Sequence, residues 1–265
     1  IEATGRVVAA PGNAHLVGQK AVAMMGGMGR TFDGGYAEYT CVPASQVVTV
    51  DTALDWVRLG ALPEVLQTAW GSMTVGMGVS EGDTILVRGG TSSVGMMTTI
   101  LARRRGMTVL ATTRRPERAA ALAAIGVDHV VVDTGEIAPA VWDLVPGGVD
   151  GALELVGAPT LKDTLLCTRK GGTVCFSGML SNRWIIPEFY PLGFIPTGVR
   201  LTAYGGDASD LPPEVLEEIA DAVHAGEVDW PVAVYEIDDI ARAHDDMEHN
   251  RVAARQVVRT GVAGD

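Results

Sequence analysis

From residue 84 to residue 203 the chain repeats one pattern: a short apolar run, a glycine-rich or polar turn, then a helical stretch. The runs 84–87, 108–111, 130–132, 151–155, 173–176 and 199–203 read as strands, and 94–105, 116–125, 136–145 and 161–168 as helices. Short strands without polar alternation have both faces buried, and helices between them imply right-handed βαβ crossovers. Few architectures satisfy that repeat, and the expected fold class is α/β with a doubly wound parallel sheet. Residues 1–50 differ: the apolar runs 7–10, 21–25 and 36–42 are split by Pro11-Gly12-Asn13 and Gly26-Gly27-Met28-Gly29, a β-rich pattern. Asp51 reads as the N-cap of a following helix, and Pro63 as the start of a second that runs through Thr68-Ala69-Trp70. Helices at 214–224 and 238–248, with strands after 232 and at 256–258, complete the chain.

Composition narrows the partners. Hydrophobic residues make up 47% and charged residues 20% of 265, enough to build a core. The formal net charge of −12 sets up a field that repels phosphate backbones and anionic bilayers, which argues against nucleic acid and membrane partners. No apolar run approaches the roughly 20 residues of a membrane span. Cys41, Cys167 and Cys175 show no CxxC spacing, so the expectation is a cytoplasmic, reducing-compartment protein without a structural zinc site. Cys167 and Cys175 read as buried helix and strand residues. The chain opens on Ile1, and Gly5 to Ala10 already reads like the middle of a strand, so the front is read as truncated.

The stretch Ile85-Leu86-Val87-Arg88-Gly89-Gly90-Thr91-Ser92-Ser93-Val94-Gly95-Met96-Met97 carries a strand through a Gly/Ser loop into a helix. Free amides and the positive dipole end at such a helix start form an anion site. The loop is a variant of GxGxxG, with Gly90 and Gly95 in place and Ser92 at the middle position, where its hydroxyl is expected to reach a phosphate oxygen. A Walker A reading fails because Met96 and Met97 stand where Lys and Ser/Thr are required. NAD-binding folds place an acid about 20 residues beyond the first glycine. Here that position carries no acid, and Thr112-Thr113-Arg114-Arg115-Pro116-Glu117-Arg118 follows. Hydroxyls and guanidinium forks suit a ribose 2′-phosphate, so NADP(H) is expected over NAD.

Taken together these residues resemble the medium-chain dehydrogenase/reductase superfamily, in its zinc-independent NADPH:quinone oxidoreductase branch. Gly34-Gly35-Tyr36-Ala37-Glu38-Tyr39, Thr68-Ala69-Trp70, Gly171 to Gly178 and the segment from Asp238 to Val258 carry the likeness in order. The resemblance implies a Rossmann domain over 51–225, and a partial GroES-like catalytic domain over 1–50 and 226–265, with the cofactor in the cleft between them. It implies that Gly90, Thr91, Ser92, Ser93 and Val94 lie under the pyrophosphate, and that Thr113, Arg114 and Arg118 face the 2′-phosphate. Thr68 is implied to touch the nicotinamide, with Val156, Gly157, Phe176, Gly178 and Met179 around the ring and its ribose. Arg251 is implied to reach back to the cofactor. The family's opening segment, which carries its substrate-facing Tyr and Asn positions, has no counterpart here, so no catalytic residue is assigned.

No metal site is expected. His244-Asp245-Asp246-Met247-Glu248-His249 misses the HxxEH spacing by one residue, and no GxSxG elbow occurs. The resulting reading is hydride transfer from NADPH to a quinone or to an α,β-unsaturated carbonyl, with a small-molecule partner. The alternatives are an NADPH-binding protein without turnover, of structural or regulatory role, and an alcohol dehydrogenase. The aromatic, proline-broken segment 181–196 is expected to wall the substrate or to join two subunits, with a homodimer formed through the last Rossmann strand.

Overall fold

Asp55, not Asp51, starts the first helix: its carboxylate accepts from the Arg58 amide at 2.9 Å and caps α1 (Trp56–Leu59). The Asp51 amide instead donates to Glu217 Oε1 at 3.0 Å. The structure, a computed structural model, describes residues 1–249, 251–252 and 254–261. It divides into two units, residues 1–67 with those from 206 onward, and residues 68–205.

The first unit opens with an antiparallel sheet of β1 (Glu2–Arg6), β2 (Lys20–Met24) and β3 (Val47–Thr49), in that order. Two of the expected strands are absent. Pairing with β2 ends at Arg6, before the run 7–10, and among the described residues the run 36–42 pairs with no strand and lies largely exposed. A strand is stable only where a second backbone satisfies its amides and carbonyls. α2 (Pro63–Gly71) begins at Pro63, as the sequence indicates.

The second unit starts with a π-helical turn at Ser72–Met77 and then alternates regularly. β4 (Thr84–Arg88), α3 (Ser93–Arg104), β5 (Thr108–Thr113), α4 (Ala119–Ala124) and β6 (His129–Val132) form its first half. α5 (Ala138–Leu144), β7 (Val149–Glu154), α6 (Ala158–Leu166), β8 (Thr168–Phe176), α7 (Pro191–Phe194) and β9 (Arg200–Ala203) form the second. The strands make one parallel sheet in the order β6-β5-β4-β7-β8-β9, with the direction of winding reversing between β4 and β7. That order is the Rossmann arrangement, which opens a crevice at the carboxyl ends of the two central strands. Leu86, Leu110, Ala152 and Val174 fill the sheet's interior, and Leu161 and Leu165 of α6 pack on them. Cys175 is buried in β8, whereas Cys167 sits one residue past α6 as its C-cap. Burial pushes the Cys167 thiol up to about 12.

The chain returns to the first unit with α8 (Pro213–His224), β10 (Val232–Glu236), α9 (Ile240–Glu248) and β11 (Arg255–Arg259), β10 and β11 pairing in parallel. Residues 51–67 and 206–225, expected in the Rossmann domain, belong to this unit. Tertiary bonds invisible to local patterning hold them there: Gln67 Nε2 to Asp207 O at 2.8 Å, Lys20 Nζ to Leu54 O at 2.8 Å, and Trp230 Nε1 to Ala61 O at 3.2 Å.

Arg255 of β11 is the ionic tie of this unit. Its Nη2 donates to Glu2 of β1 at 2.5 Å and to Glu64 of α2 at 3.0 Å. Burial raises the Glu2 carboxyl above its usual range despite the Arg255 charge. Arg255→Leu is expected to cost about 3 kcal/mol, because it strands two half-buried carboxylates, and a urea melt of the purified variant measures it.

Candidate functional site

The loop between β4 and α3 is shaped by backbone approach. Gly89 has φ +90°, and a Cβ on Gly95 would stand 2.6 Å from the Gly89 carbonyl oxygen. A Cβ on Gly90 would stand 2.8 Å from Ala111 Cβ of β5. Ser92 is the N-cap of α3: its hydroxyl accepts from Gly95 N at 3.1 Å and donates to Gly89 O at 2.8 Å. The expectation that this hydroxyl meets a phosphate is therefore corrected, since its one proton is held by the loop itself. Among the described residues, the amides of Thr91, Ser93 and Val94 and the hydroxyls of Thr91 and Ser93 have no partner. Three unpaired donors at a helix start, in a cradle too tight for a Cβ, fit an anionic group such as a pyrophosphate.

Beneath the loop lies a charge cluster that sequence patterning passes over. Arg88, the last residue of β4, is 0% exposed. Its Nε and Nη2 form a two-pronged pair with Asp133, both at 2.9 Å, and Nη2 also donates to Gly135 O at 2.9 Å. Nη1 donates to Asp163 Oδ2 at 2.6 Å, to Thr164 Oγ1 at 3.1 Å and to Thr160 O at 3.2 Å. Asp163 in turn accepts the Ile137 and Ala138 amides at the start of α5. Thr112 Oγ1 accepts from Gly89 N at 3.0 Å and reaches Asp133 Oδ2 at 3.4 Å, so the cluster extends to the glycine loop.

Glu154, the last residue of β7, is also 0% exposed. Its Oε1 accepts from Val156 N at 2.7 Å, Gly157 N at 2.9 Å and Thr160 Oγ1 at 3.0 Å, and its Oε2 from Thr164 Oγ1 at 2.5 Å. Thr164 thus bridges Glu154 and Arg88. Burial raises the Glu154 carboxyl above its usual range, and the donated hydrogen bonds and the Arg88 charge only partly offset it. Burial works the same way on Asp133, but the Arg88 fork outweighs it and holds that carboxyl below its usual range. The same carboxylates hold the Arg88 guanidinium above its already high value against desolvation.

The other expected site residues fall as follows. Thr113 is buried, and its hydroxyl closes a turn on the Arg115 amide at 3.1 Å and carbonyl at 3.2 Å. Arg114 is exposed and Arg118 half-buried, and among the described residues neither side chain, nor that of Arg115, has a partner. Thr68 is half-buried at the start of the second unit. Val156 and Gly157 follow β7, while Gly178 and Met179 follow β8; a Cβ on Gly178 would lie 2.8 Å from Leu155 O. Phe176 packs on the core cluster and also lines a pocket of about 320 Å³ with Ala158, Trp184 and Leu201. Arg251 pairs with Asp245 and, at 3.1 Å, with Asp246. His244 Nε2 bonds the Tyr36 hydroxyl at 3.1 Å and His249 Nδ1 the Asp245 carbonyl at 2.8 Å. Among the described residues no group of three His, Cys, Asp or Glu is gathered to hold a metal ion. Among them too, no helix is long and apolar enough to cross a membrane.

A Rossmann sheet with an open anion cradle at this strand–helix turn has the form of a dinucleotide-binding domain. The comparisons carry this to a family. The family model described as zinc-binding dehydrogenase matches residues 93–221. The chain is 26% identical to the Bacillus subtilis protein YhfP, over 98% of this chain and 80% of that one. It is 27% identical to the quinone oxidoreductase of Sus scrofa, over 86% and 70%. A mycobacterial structure solved with NADPH superposes with a TM-score of 0.79 at 25% identity, over 97% and 80%. The chain is thus similar to members of the medium-chain dehydrogenase/reductase superfamily, quinone oxidoreductases among them. These similarities support an oxidoreductase that binds a nicotinamide cofactor and acts on a small molecule.

Removing Arg88 leaves Asp133 and Asp163 buried without their cation, and Arg88→Met is expected to lose about 3–5 kcal/mol at pH 7. Glu154 acts oppositely on pH. Its folded-state proton is held more tightly than in the unfolded chain, so its contribution is full at acid pH and is lost as pH rises through the raised value. Asp133, held low, contributes above the usual Asp value and loses that contribution as pH falls below it. Urea melts from pH 5 to 8 are expected to show a shallower decline for Glu154→Gln than for the parent protein.

Proposed function

We propose that the protein is an NADPH-dependent, zinc-independent reductase that delivers hydride to a quinone or to the β-carbon of an α,β-unsaturated carbonyl. The observation that carries the cofactor choice is the trio Arg114, Arg115 and Arg118, without partners at the tip of β5 in a chain of net charge −12. Elsewhere many arginines are paired with carboxylates; these three are left for a dianion such as a ribose 2′-phosphate. A 2′-hydroxyl would instead call for an acid at the end of β5, where Thr113 stands. The quinone oxidoreductase relatives and the NADPH-bound mycobacterial neighbour support the same reading.

When bound, the cofactor supplies the hydride. The chain's own residues bind and orient it: the amides of Thr91, Ser93 and Val94 take the pyrophosphate, Arg114 and Arg118 the 2′-phosphate. Thr68, Val156, Gly157, Phe176, Gly178 and Met179 surround the nicotinamide and its ribose. Thr113 acts as the turn that presents the arginines. The three free cysteines agree with a cytoplasmic setting.

Fluorescence titration is expected to show NADPH binding at least tenfold tighter than NADH, with the preference lost in the Arg114→Ala/Arg118→Ala double variant, since each charged hydrogen bond is worth about 1.5–3 kcal/mol. Turnover of NADPH with 1,4-benzoquinone is expected to survive dialysis against EDTA. Binding without turnover over a panel of quinones and enones would favour a non-catalytic role, and zinc-dependent turnover an alcohol dehydrogenase. β9 is the last strand of its sheet among the described residues, and exposed Trp184 lines a pocket with Leu201, Thr202 and Ala203 of that strand. The proposed assembly is a homodimer through that edge, and sedimentation equilibrium is expected to return twice the chain mass.

A further inference from the structure

The turns that follow β7 and β8 converge on one residue. The Glu154 carboxylate takes the amides of Val156 and Gly157, and its main-chain carbonyl takes those of Ser177 at 3.0 Å and Gly178 at 3.2 Å. Four amides, two from each turn, therefore donate to Glu154. The carboxylate is itself locked. Thr160 and Thr164 of α6 fix its two oxygens, and Thr164 is fixed in turn by Arg88. No solvent reaches any of these groups except through movement of the turns, since Glu154, Thr164 and Arg88 are each 0% exposed. The turns are also tied to the next segment, Leu180 N to Leu155 O at 3.0 Å and Ser181 N to Val156 O at 2.9 Å. A shift at Glu154 would thus carry residues 155–157 and 177–181 with it.

We propose that Glu154 is the positioning residue for the nicotinamide end of the cofactor site, its carboxylate setting the Val156–Gly157 turn and Arg88 holding that carboxylate in place through Thr164. This rests on the assignment of Val156, Gly157, Gly178 and Met179 to the nicotinamide. Glu154 touches no part of the cofactor: its role is to orient backbone that does. The pyrophosphate cradle is held by other bonds, those of Ser92 and Thr112, and Glu154 bonds neither, so a substitution at 154 that keeps Arg88 and Asp133 acts on the nicotinamide end.

The chemistry of the two oxygens specifies the variants. Gln at 154 keeps an acceptor for the Val156 and Gly157 amides, and its NH2 donates to Thr164, whose hydroxyl can turn to Thr160 O at 3.2 Å. Asp keeps the charge but is one methylene short of both amides. Isothermal titration of the full chain with NADPH and with adenosine 2′,5′-bisphosphate, which lacks the nicotinamide, separates the outcomes. Glu154→Asp is expected to weaken NADPH about tenfold, the equivalent of about 1.4 kcal/mol, and to leave the bisphosphate within about twofold. Glu154→Gln is expected to bind both within about threefold of the parent protein. Unchanged NADPH binding in Glu154→Asp, or equal weakening of both ligands, overturns the positioning role while leaving the cofactor reading intact. A parent chain that binds neither ligand overturns the cofactor reading, and the positioning role with it.

Discussion

The desolvated guanidinium of Arg88 is the interaction on which the second unit's working edge depends. A cation at the centre of a parallel sheet is costly unless every donor is matched, because burial removes several kcal/mol of hydration. Here Nε, Nη1 and Nη2 are all engaged, with two carboxylates, two carbonyls and a hydroxyl as acceptors. The consequence is geometric. β4, the segment after β6 and the first two turns of α6 are all bonded through one side chain, and Asp163 extends the network to the start of α5, so the crevice floor is set by polar bonds of fixed direction as well as by apolar packing.

That cluster also explains why the anion cradle lies where it does. The helices α3, α4, α5 and α6 of the second unit each follow a strand of its sheet, and a helix start carries unpaired amides and a positive dipole end. The chain closes two of them with its own carboxylates: Asp163 accepts the amides at the start of α5, and Glu154 those at the start of α6. Only α3 is capped by a neutral hydroxyl, leaving Thr91, Ser93 and Val94 with free amides. The carboxylates at α5 and α6 turn an anionic ligand away from those two starts, and the free amides at α3 attract it. In a chain of net charge −12, local arrangement of this kind is what permits phosphate binding at all.

Much of the fold was legible because its signals are local. Apolar runs such as Ile85-Leu86-Val87 can be satisfied only by burial on both faces, and glycines at 89, 90 and 95 sit where backbone must approach backbone. Legibility failed where pairing decides the outcome. The run 36–42 has strand composition but no strand partner among the described residues, while β3 at Val47–Thr49 forms because β2 lies beside it. The unit boundaries failed for a related reason, since Trp230, Lys20 and Asp207 reach across more than a hundred residues or a few dozen to fix segments that carry no composition shift. In the candidate site, Arg88 and Glu154 were visible only as charges ending apolar strands, a signal that periodicity averages away.

By itself the sequence determined the parallel alternation, the position of the glycine loop and the cluster of arginines after β5, because each follows from neighbours within a few positions. Tertiary structure alone decided which charges became a buried network and which stayed free. Arg88, Asp133, Glu154 and Asp163 are separated by up to 75 residues, yet bond at 2.5–3.1 Å directly or through Thr164. Distance in the chain carries no information about such meetings. They arise when the sheet order β6-β5-β4-β7 brings strand ends together, and burial then makes every unmatched charge too costly to leave unpaired.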